Sequence, residues 1–160
     1  MKLLTRTLSL LAIVALTLFF ANCGGDENGK SKEEVQLGKL KTNWSIVSVE
    51  LDGVDRIDDF TGFTLEFDGT YDKNAVPGDY PYDFTVSGNR PPISPWPASG
   101  FWEFGGDPET LIVRDDEIGI VYSINSNEQL TLTFFCPEGG CQYPGSRTAQ
   151  VVGTWEFVLD

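Results

Sequence analysis

Short runs in which apolar and polar residues alternate fill most of the chain after residue 42. Residues 63–67 (FTLEF) and 130–134 (LTLTF) place a large apolar side chain at every second position. A period of two buries one face of a strand and leaves the other in water, which is typical of antiparallel sheet. Turn signals such as Asp52-Gly53 and Asp68-Gly69 separate the runs. Seven to nine such runs, with no amphipathic helix among them, predict an all-β barrel or sandwich.

Four stretches carry a family resemblance through their order and spacing. They are residues 43–53 (NWSIVSVELDG), 62–71 (GFTLEFDGTY), 97–104 (PASGFWEF) and 153–157 (GTWEF). Together they resemble the lipocalin-like domains of Bacteroidota lipoproteins, and the likeness extends over about residues 42–160. The resemblance implies a single antiparallel up-and-down β-barrel of about eight strands, with Trp44 closing one end. A β-sandwich is the alternative, and the family brings no established activity.

The first 22 residues are organised like a secretory signal peptide. Lys2 and Arg6 precede an uncharged run over residues 8–21, which is shorter than the roughly 20 apolar residues of a membrane-spanning helix. The run ends at Cys23, and residues 20–23 (FANC) resemble the lipobox of bacterial lipoproteins. The resemblance implies removal of residues 1–22 and lipidation of Cys23. An ordinary signal peptide with an incidental cysteine is the alternative.

Residues 24–41 are mostly Gly, Lys, Glu, Asn and Ser, so residues 23–41 are predicted to form a lipidated, flexible tether. The barrel domain is then expected to cover residues 42–160. Residues 24–27 (GGDE) look like the acidic export signal of surface lipoproteins, with a solvated acidic tether as the alternative. We therefore expect a lipid-anchored protein of the bacterial outer membrane, and the acidic signal implies exposure on the cell surface.

Charge excludes one class of partner. Signal removal takes away Lys2 and Arg6 and no acid, which leaves 9 of the 11 cations against 24 acids, a net charge of −15. Such a chain repels phosphate backbones, so nucleic-acid binding is not expected. The predicted partners are the membrane, through the lipid, and a small hydrophobic ligand, with the protein itself a monomer.

The chain has no histidine. Ser–His and Cys–His nucleophiles are therefore impossible, and a zinc site is nearly excluded because lipidation leaves only two cysteines. We expect no catalytic residue and no cofactor, and hence a protein that is not an enzyme. An acidic turn, Asp115, Asp116 and Glu117, is a candidate for Ca²⁺, although its spacing fits no EF-hand and a solvated turn is the alternative.

Cys136 and Cys141 enclose the loop PEGG, whose proline and glycines allow the chain to fold back. Export would bring both thiols into an oxidising compartment. A structural disulfide is therefore predicted across the loop that follows residue 135.

The alternation also predicts which side chains face the barrel interior, and whether they fill it or line a ligand cavity is left open. A cavity would make the protein a binder of a small apolar or amphipathic molecule. A filled barrel would make it a structural or interaction module that contacts a protein or glycan through its loops. The candidate ligand-facing residues are Trp44, Phe63, Leu65, Phe67, Trp102, Phe104, Tyr122, Trp155 and Phe157, and Ile120, Leu130, Leu132 and Phe134 are also expected to face inward.

Residues 74–98 form the longest irregular segment and contain six of the nine prolines. Tyr80, Tyr82 and Trp96 give this segment aromatic surface, so they are candidate loop contacts for a partner. The alternative is a loop folded against the barrel, with Trp96 covering its end.

Overall fold

The computed structural model describes residues 29–138, residue 141 and residues 151–160. Residues Glu33–Asp160 form one compact unit. The predicted signal peptide, Cys23 and residues 24–28 of the predicted tether lie outside the described part of the chain. Within that part, no helix combines the length and the apolar character needed to cross a membrane.

Within the described residues, the regular structure consists of one helix, one 3₁₀ turn and nine strands. The elements are α1 (Lys32–Leu40), β1 (Asn43–Leu51), β2 (Val54–Asp55), the 3₁₀ turn (Ile57–Phe60), β3 (Thr64–Asp68), β4 (Tyr82–Ser87), β5 (Ser99–Phe104), β6 (Leu111–Arg114), β7 (Gly119–Ile124), β8 (Leu130–Cys136) and β9 (Gly153–Leu159).

The strands close into a barrel. From β3 to β9 each strand pairs antiparallel with its neighbour in sequence, and β1 pairs with both β3 and β9. The short β2 adds a hairpin beside the last residues of β1. The eight long strands therefore form an up-and-down antiparallel barrel with β2 as an extra strand, which confirms the predicted barrel over the sandwich.

Burial follows the alternation along each strand. In β4 the side chains of Tyr82, Phe84 and Val86 are buried, and the three residues that alternate with them are exposed. The same pattern holds in most of β8 and β9. All the residues expected to face inward are buried except Phe104, which is partly buried.

The two ends of the barrel are closed by different elements. The connections β1–β3, β4–β5, β6–β7 and β8–β9 share one end, which we call the upper end. Phe60, from the 3₁₀ turn, and Trp96, from the β4–β5 connection, are both buried there and contact Phe157. The other, lower end carries α1.

Helix α1 corrects the prediction of a flexible tether through residue 41. Leu37 and Leu40 are buried in the barrel core, and the indole of Trp44 donates a hydrogen bond to the Leu40 carbonyl at 2.9 Å. Gln36 is also buried, with its Oε1 3.4 Å from the Tyr122 hydroxyl. The compact unit therefore begins at Glu33 and not at residue 42. The polar composition of residues 24–41 led to the prediction of a tether, but a helix needs only one short apolar stripe to pack on a core.

Candidate functional site

Aromatic rings fill the barrel interior. Towards the lower end, the Trp102 ring lies 4.8 Å from Tyr82, 5.3 Å from Phe67 and 5.1 Å from Phe104. Towards the upper end, Phe157 contacts Phe60 at 5.3 Å and other rings at similar distances. Most aromatic pairs among the described core residues meet edge to face, the arrangement that aromatic quadrupoles favour. Packed rings thus occupy the space in which an interior ligand would lie.

Two of the three aromatic side chains predicted as loop contacts are not on the surface. Tyr82 is 2% exposed on the inner face of β4, and Trp96 is 1% exposed inside the upper end. The prediction of a contact surface is wrong for both, because their rings gain more by joining the aromatic core than by remaining in water. Tyr80 remains partly exposed, with a positive φ of 45°.

Arg114 is a functional feature that the sequence reasoning missed. It is 1% exposed, and its guanidinium donates to the Pro95 carbonyl at 2.7 Å and to both carboxylate oxygens of Asp116. The Phe134 ring lies 5.7 Å from the guanidinium carbon. Arg114 points inward from β6, and its hydrogen bond to Pro95 therefore holds the β4–β5 connection across the upper end. Its only sequence signal is a cation at the end of the apolar run LIVR, residues 111–114.

The four tryptophans differ in how their indole N–H groups are satisfied. Trp44, Trp102 and Trp155 each donate to a backbone carbonyl at 2.8–2.9 Å. The Trp96 indole N–H is buried and has no acceptor in the described part of the chain. A buried donor without a partner costs about 1–3 kcal/mol, so Trp96 is held in place by packing and not by its polar atom.

A groove lies on the outer face of β3, β4 and β5. Its volume is about 630 Å³. We call it the outer groove; its lining residues are Glu66, Asp68, Asp83, Phe84, Thr85, Pro97, Ser99, Gly100, Phe101, Asp115, Asp116 and Cys141. Six of the twelve are exposed residues of β3, β4 and β5.

Strand register sets the order of side chains in the outer groove. Asp68 faces Asp83 across β3 and β4, and Asp83 faces Phe101 across β4 and β5. Glu66 faces Thr85 in the neighbouring row. Side chains directly opposite each other in an antiparallel pair lie about 5 Å apart. The groove therefore carries carboxylates beside a phenyl ring that is 52% exposed.

A glycine shapes the floor of the groove. A Cβ atom on Gly100 would lie 2.8 Å from ring atoms of Phe84 and 3.2 Å from an Asp115 carboxylate oxygen. The missing side chain lets the groove reach the edge of Phe84 through the barrel wall. A side chain at this position would clash with the Phe84 ring.

The carboxylates of the groove are unequally neutralised. Asp68 forms an ion pair with Lys41 at 2.7 Å, and the hydrogen bond from Lys41 lowers the pKa of its carboxyl, with a further contribution from the Gly69 N–H. Asp116 pairs with Arg114, and Asp115 accepts the Phe101 N–H at 3.2 Å. Glu66 and Asp83 have no cation within ion-pair distance among the described residues.

The acidic turn does not assemble the Ca²⁺ site for which it was a candidate. Asp116 is bound to Arg114, while Asp115 is bound to a strand N–H and Glu117 adopts a positive φ of 65°. In the described part of the chain, no group of three or more His, Cys, Asp or Glu side chains is placed to hold a metal ion.

The predicted disulfide is confirmed. Cys136, the last residue of β8, is bonded to Cys141, with a Cα–Cα distance of 5.3 Å. Cys136 is fully buried, and Cys141 lines the outer groove. The bridge therefore ties the end of β8 to a residue of the groove.

Comparison with known proteins adds no family. No family model, no curated protein and no solved structure matches this chain. The function has to be argued from the outer groove and the filled barrel.

Proposed function

We propose that the chain is an envelope lipoprotein, anchored through lipid on Cys23, whose barrel is a filled scaffold and whose outer groove binds a small molecule. The carrying observation is the 630 Å³ groove on the barrel wall. Its volume falls within the roughly 300–1,000 Å³ of small-molecule sites. The proposed activity is binding, with no catalytic step.

The packed interior supports the groove over an interior site. An eight-stranded barrel is just wide enough for its own side chains or for one small ligand. Here Trp96, Trp102 and Trp155 are among the largest fully buried side chains, and α1 covers the lower end. An interior ligand would have to displace several of these rings, whereas the groove is already formed.

The anchor is supported by the sequence. The signal-like residues 1–22, the lipobox resemblance and the polar residues that follow Cys23 all favour it. Two or three acyl chains hold a protein firmly on a bilayer, because each buried CH₂ contributes about 0.8 kcal/mol. Mass spectrometry of the N-terminal peptide from the native host tests this part: an acylated Cys23 is expected, and an unmodified Met1 would refute it.

Groove binding is tested on protein purified from its own envelope. Native mass spectrometry in mild detergent should show a small molecule bound to the wild type. The Ser99→Trp variant places a large side chain in the groove and should lose that molecule. Ser123→Trp makes the same change at an exposed position of β7 and should retain it. Retention in both variants would place the ligand elsewhere and contradict the proposal.

A further inference from the structure

We propose that the outer face of β6, β7 and β8 docks on the surface of the phospholipid bilayer in which the lipid on Cys23 is anchored. The inference rests on the proposed function only for that anchor, and it concerns a different surface from the outer groove. It comes from the uncharged side chains of three neighbouring strands, from two exposed apolar residues among them and from the length of chain that follows Cys23.

The outward side chains of these three strands are uncharged. Burial alternates along each strand, and the outward positions are exposed or partly exposed. We call two rows of them the apolar face; its residues are Leu111, Val113, Gly119, Val121, Thr133 and Phe135. By contrast, β3, β4 and β9 each carry an exposed outward carboxylate, Glu66, Asp83 and Glu156. Glu117 and Glu128, in the turns at its two ends, give the apolar face a polar rim, which is typical of interaction surfaces.

The register gathers the apolar groups around β7. Leu111 on β6 and Thr133 on β8 both pair with Val121 on β7. Phe135 follows Thr133 by two residues on β8, which makes it a diagonal neighbour of Val121 within reach of its side chain. Val121 and Phe135 are each 57% exposed. The middle strand of the apolar face and its neighbour therefore present a branched and an aromatic side chain to the outside.

The size of the apolar face argues against a second copy of the chain as its occupant. Three strands cover about 14 Å and four residues of strand about 13 Å, so the area is on the order of 200 Å². A stable interface buries about 800 Å² on each partner. A contact with the bilayer needs less area, because the anchor already holds the barrel beside the lipid at a high effective concentration.

The length of chain after Cys23 keeps the barrel close to the membrane. Lys32, the first residue of α1, follows Cys23 by nine residues, and nine extended residues span at most about 30 Å. The seven residues of β8 are themselves about 23 Å long, so the connection reaches little further than the length of one strand. Carboxylates lose hydration when they enter the lipid interface. In a mature chain with a net charge of −15, the uncharged face is therefore the side that approaches the bilayer.

Quenching by phospholipids with brominated acyl chains tests the docking on the lipidated protein, reconstituted in neutral phosphatidylcholine vesicles. Val121→Trp places a reporter on the apolar face, and Thr85→Trp places the same ring at an exposed outward position of β4. The wild type gives the baseline of the four native tryptophans. The added emission of Val121→Trp should fall about twofold, because a docked side chain lies at the boundary between headgroups and acyl chains. The added emission of Thr85→Trp should be unchanged.

A second substitution tests whether the apolar face drives the contact. Phe135→Ser, made together with Val121→Trp, should lower the ratio of docked to undocked protein about tenfold, because it removes the aromatic side chain of the face. Val54→Ser is the matched control, since it removes an exposed apolar side chain from β2, outside the face, and should leave that ratio unchanged. Quenching that ignores Phe135→Ser, or that is equal for Val121→Trp and Thr85→Trp, overturns the inference.

Protein density separates the bilayer from a second copy. Quenching by lipid should be the same in vesicles that carry a single protein molecule and in vesicles that carry many. Protection of Val121→Trp from aqueous acrylamide that appears only at high density, without quenching by brominated lipid, would identify a second copy and overturn docking on the membrane.

The state of Cys23 separates this inference from the proposed function. If mass spectrometry shows an acylated Cys23 and brominated lipid quenches neither reporter, the docking is wrong while the anchor stands. An unmodified Cys23 would refute the anchor and the docking together. The ligand of the outer groove is decided independently by Ser99→Trp, because that residue lies on β5, outside the apolar face.

Discussion

The guanidinium carbon of Arg114 lies 4.9 Å from the centre of the Trp96 ring, inside the upper end of the barrel. The same guanidinium holds the Pro95 carbonyl, and Arg90 donates to the Trp96 carbonyl at 3.1 Å. Arg114 and Arg90 therefore both bind backbone carbonyls of the β4–β5 connection, at Pro95 and at Trp96. This pairing explains how a proline-rich segment closes the barrel without regular hydrogen bonding of its own.

Replacement of Arg114 tests how much its contacts with the β4–β5 connection stabilise the barrel. Arg114→Met should lower the free energy of unfolding by about 2–4 kcal/mol, because it leaves the Pro95 carbonyl and the Asp116 carboxylate without their donor. Arg114→Lys should recover little, since an ammonium group cannot bind both carboxylate oxygens and stack on the ring. Urea unfolding followed by tryptophan fluorescence measures both.

Arg56 provides the matched control. It also pairs with an aspartate three residues away and lies 5.9 Å from a tryptophan ring, but its side chain is partly exposed. Arg56→Met should cost about 1 kcal/mol or less, as exposed ion pairs do. Equal losses for the two variants would contradict a special role for the buried guanidinium.

The unpaired Trp96 indole leads to a comparison of two tryptophans. Trp96→Phe removes a donor that has no acceptor, whereas Trp155→Phe leaves the buried Val151 carbonyl without its donor. Both changes remove a similar ring volume. We therefore expect Trp155→Phe to destabilise the protein more, by about 1–2 kcal/mol in the free energy of unfolding. A larger loss at Trp96 would mean that its N–H has a partner, such as a buried water.

The strands were predictable from the sequence because alternation reports burial directly. The period of two in residues 63–67 and 130–134 corresponds to buried inner faces in β3 and β8. Register was not predictable, because exposed carboxylates on separate strands all resemble solvated positions until pairing sets Asp68 opposite Asp83. The outer groove follows from that pairing, so no local pattern could have indicated it.

The misjudged residues share a physical cause. Tertiary packing decides their state, and their sequence neighbours do not. Trp96 lies in a segment rich in proline and serine that reads as surface loop, yet its ring completes the aromatic core. Helix α1 reads as polar linker, yet Leu37 and Leu40 lie on the side that meets the barrel.

Helix α1 should therefore be part of the folding unit. Leu40→Ala should lower the free energy of unfolding by about 2–4 kcal/mol, because it removes a fully buried side chain from the lower end. Lys39→Ala, on the exposed side of the same helix, should change it by less than about 0.5 kcal/mol. Chemical denaturation of both variants decides whether the domain begins before residue 42, since a negligible effect at Leu40 would favour a dispensable tether.

The disulfide should contribute modest stability. A loop as short as the one between Cys136 and Cys141 restricts the unfolded chain by about 2 kcal/mol in the entropic description. Reduction should lower the urea midpoint accordingly and leave the barrel folded, as judged by circular dichroism. The double variant Cys136→Ala/Cys141→Ala should show no response to reductant. Global unfolding on reduction would mean that the disulfide stabilises the whole barrel and not only the loop that it closes.

Alkaline pH should destabilise the barrel through two buried tyrosines. Desolvation, more than the nearby carboxylates, raises the pKa of Tyr82 to about 12 and that of Tyr122 further above its ordinary value of 10.0. Below pH 10 both hydroxyls are protonated in either state, so the stability is complete there. Between pH 10 and 12 the unfolded chain loses these protons first, so the free energy of unfolding should fall by up to about 1.4 kcal/mol per pH unit for each tyrosine. Tyr82→Phe should remove the contribution of one tyrosine to this slope, with the free energy of unfolding at neutral pH as the reference for each protein. An unchanged slope would mean that Tyr82 ionises as readily in the folded barrel as in the unfolded chain.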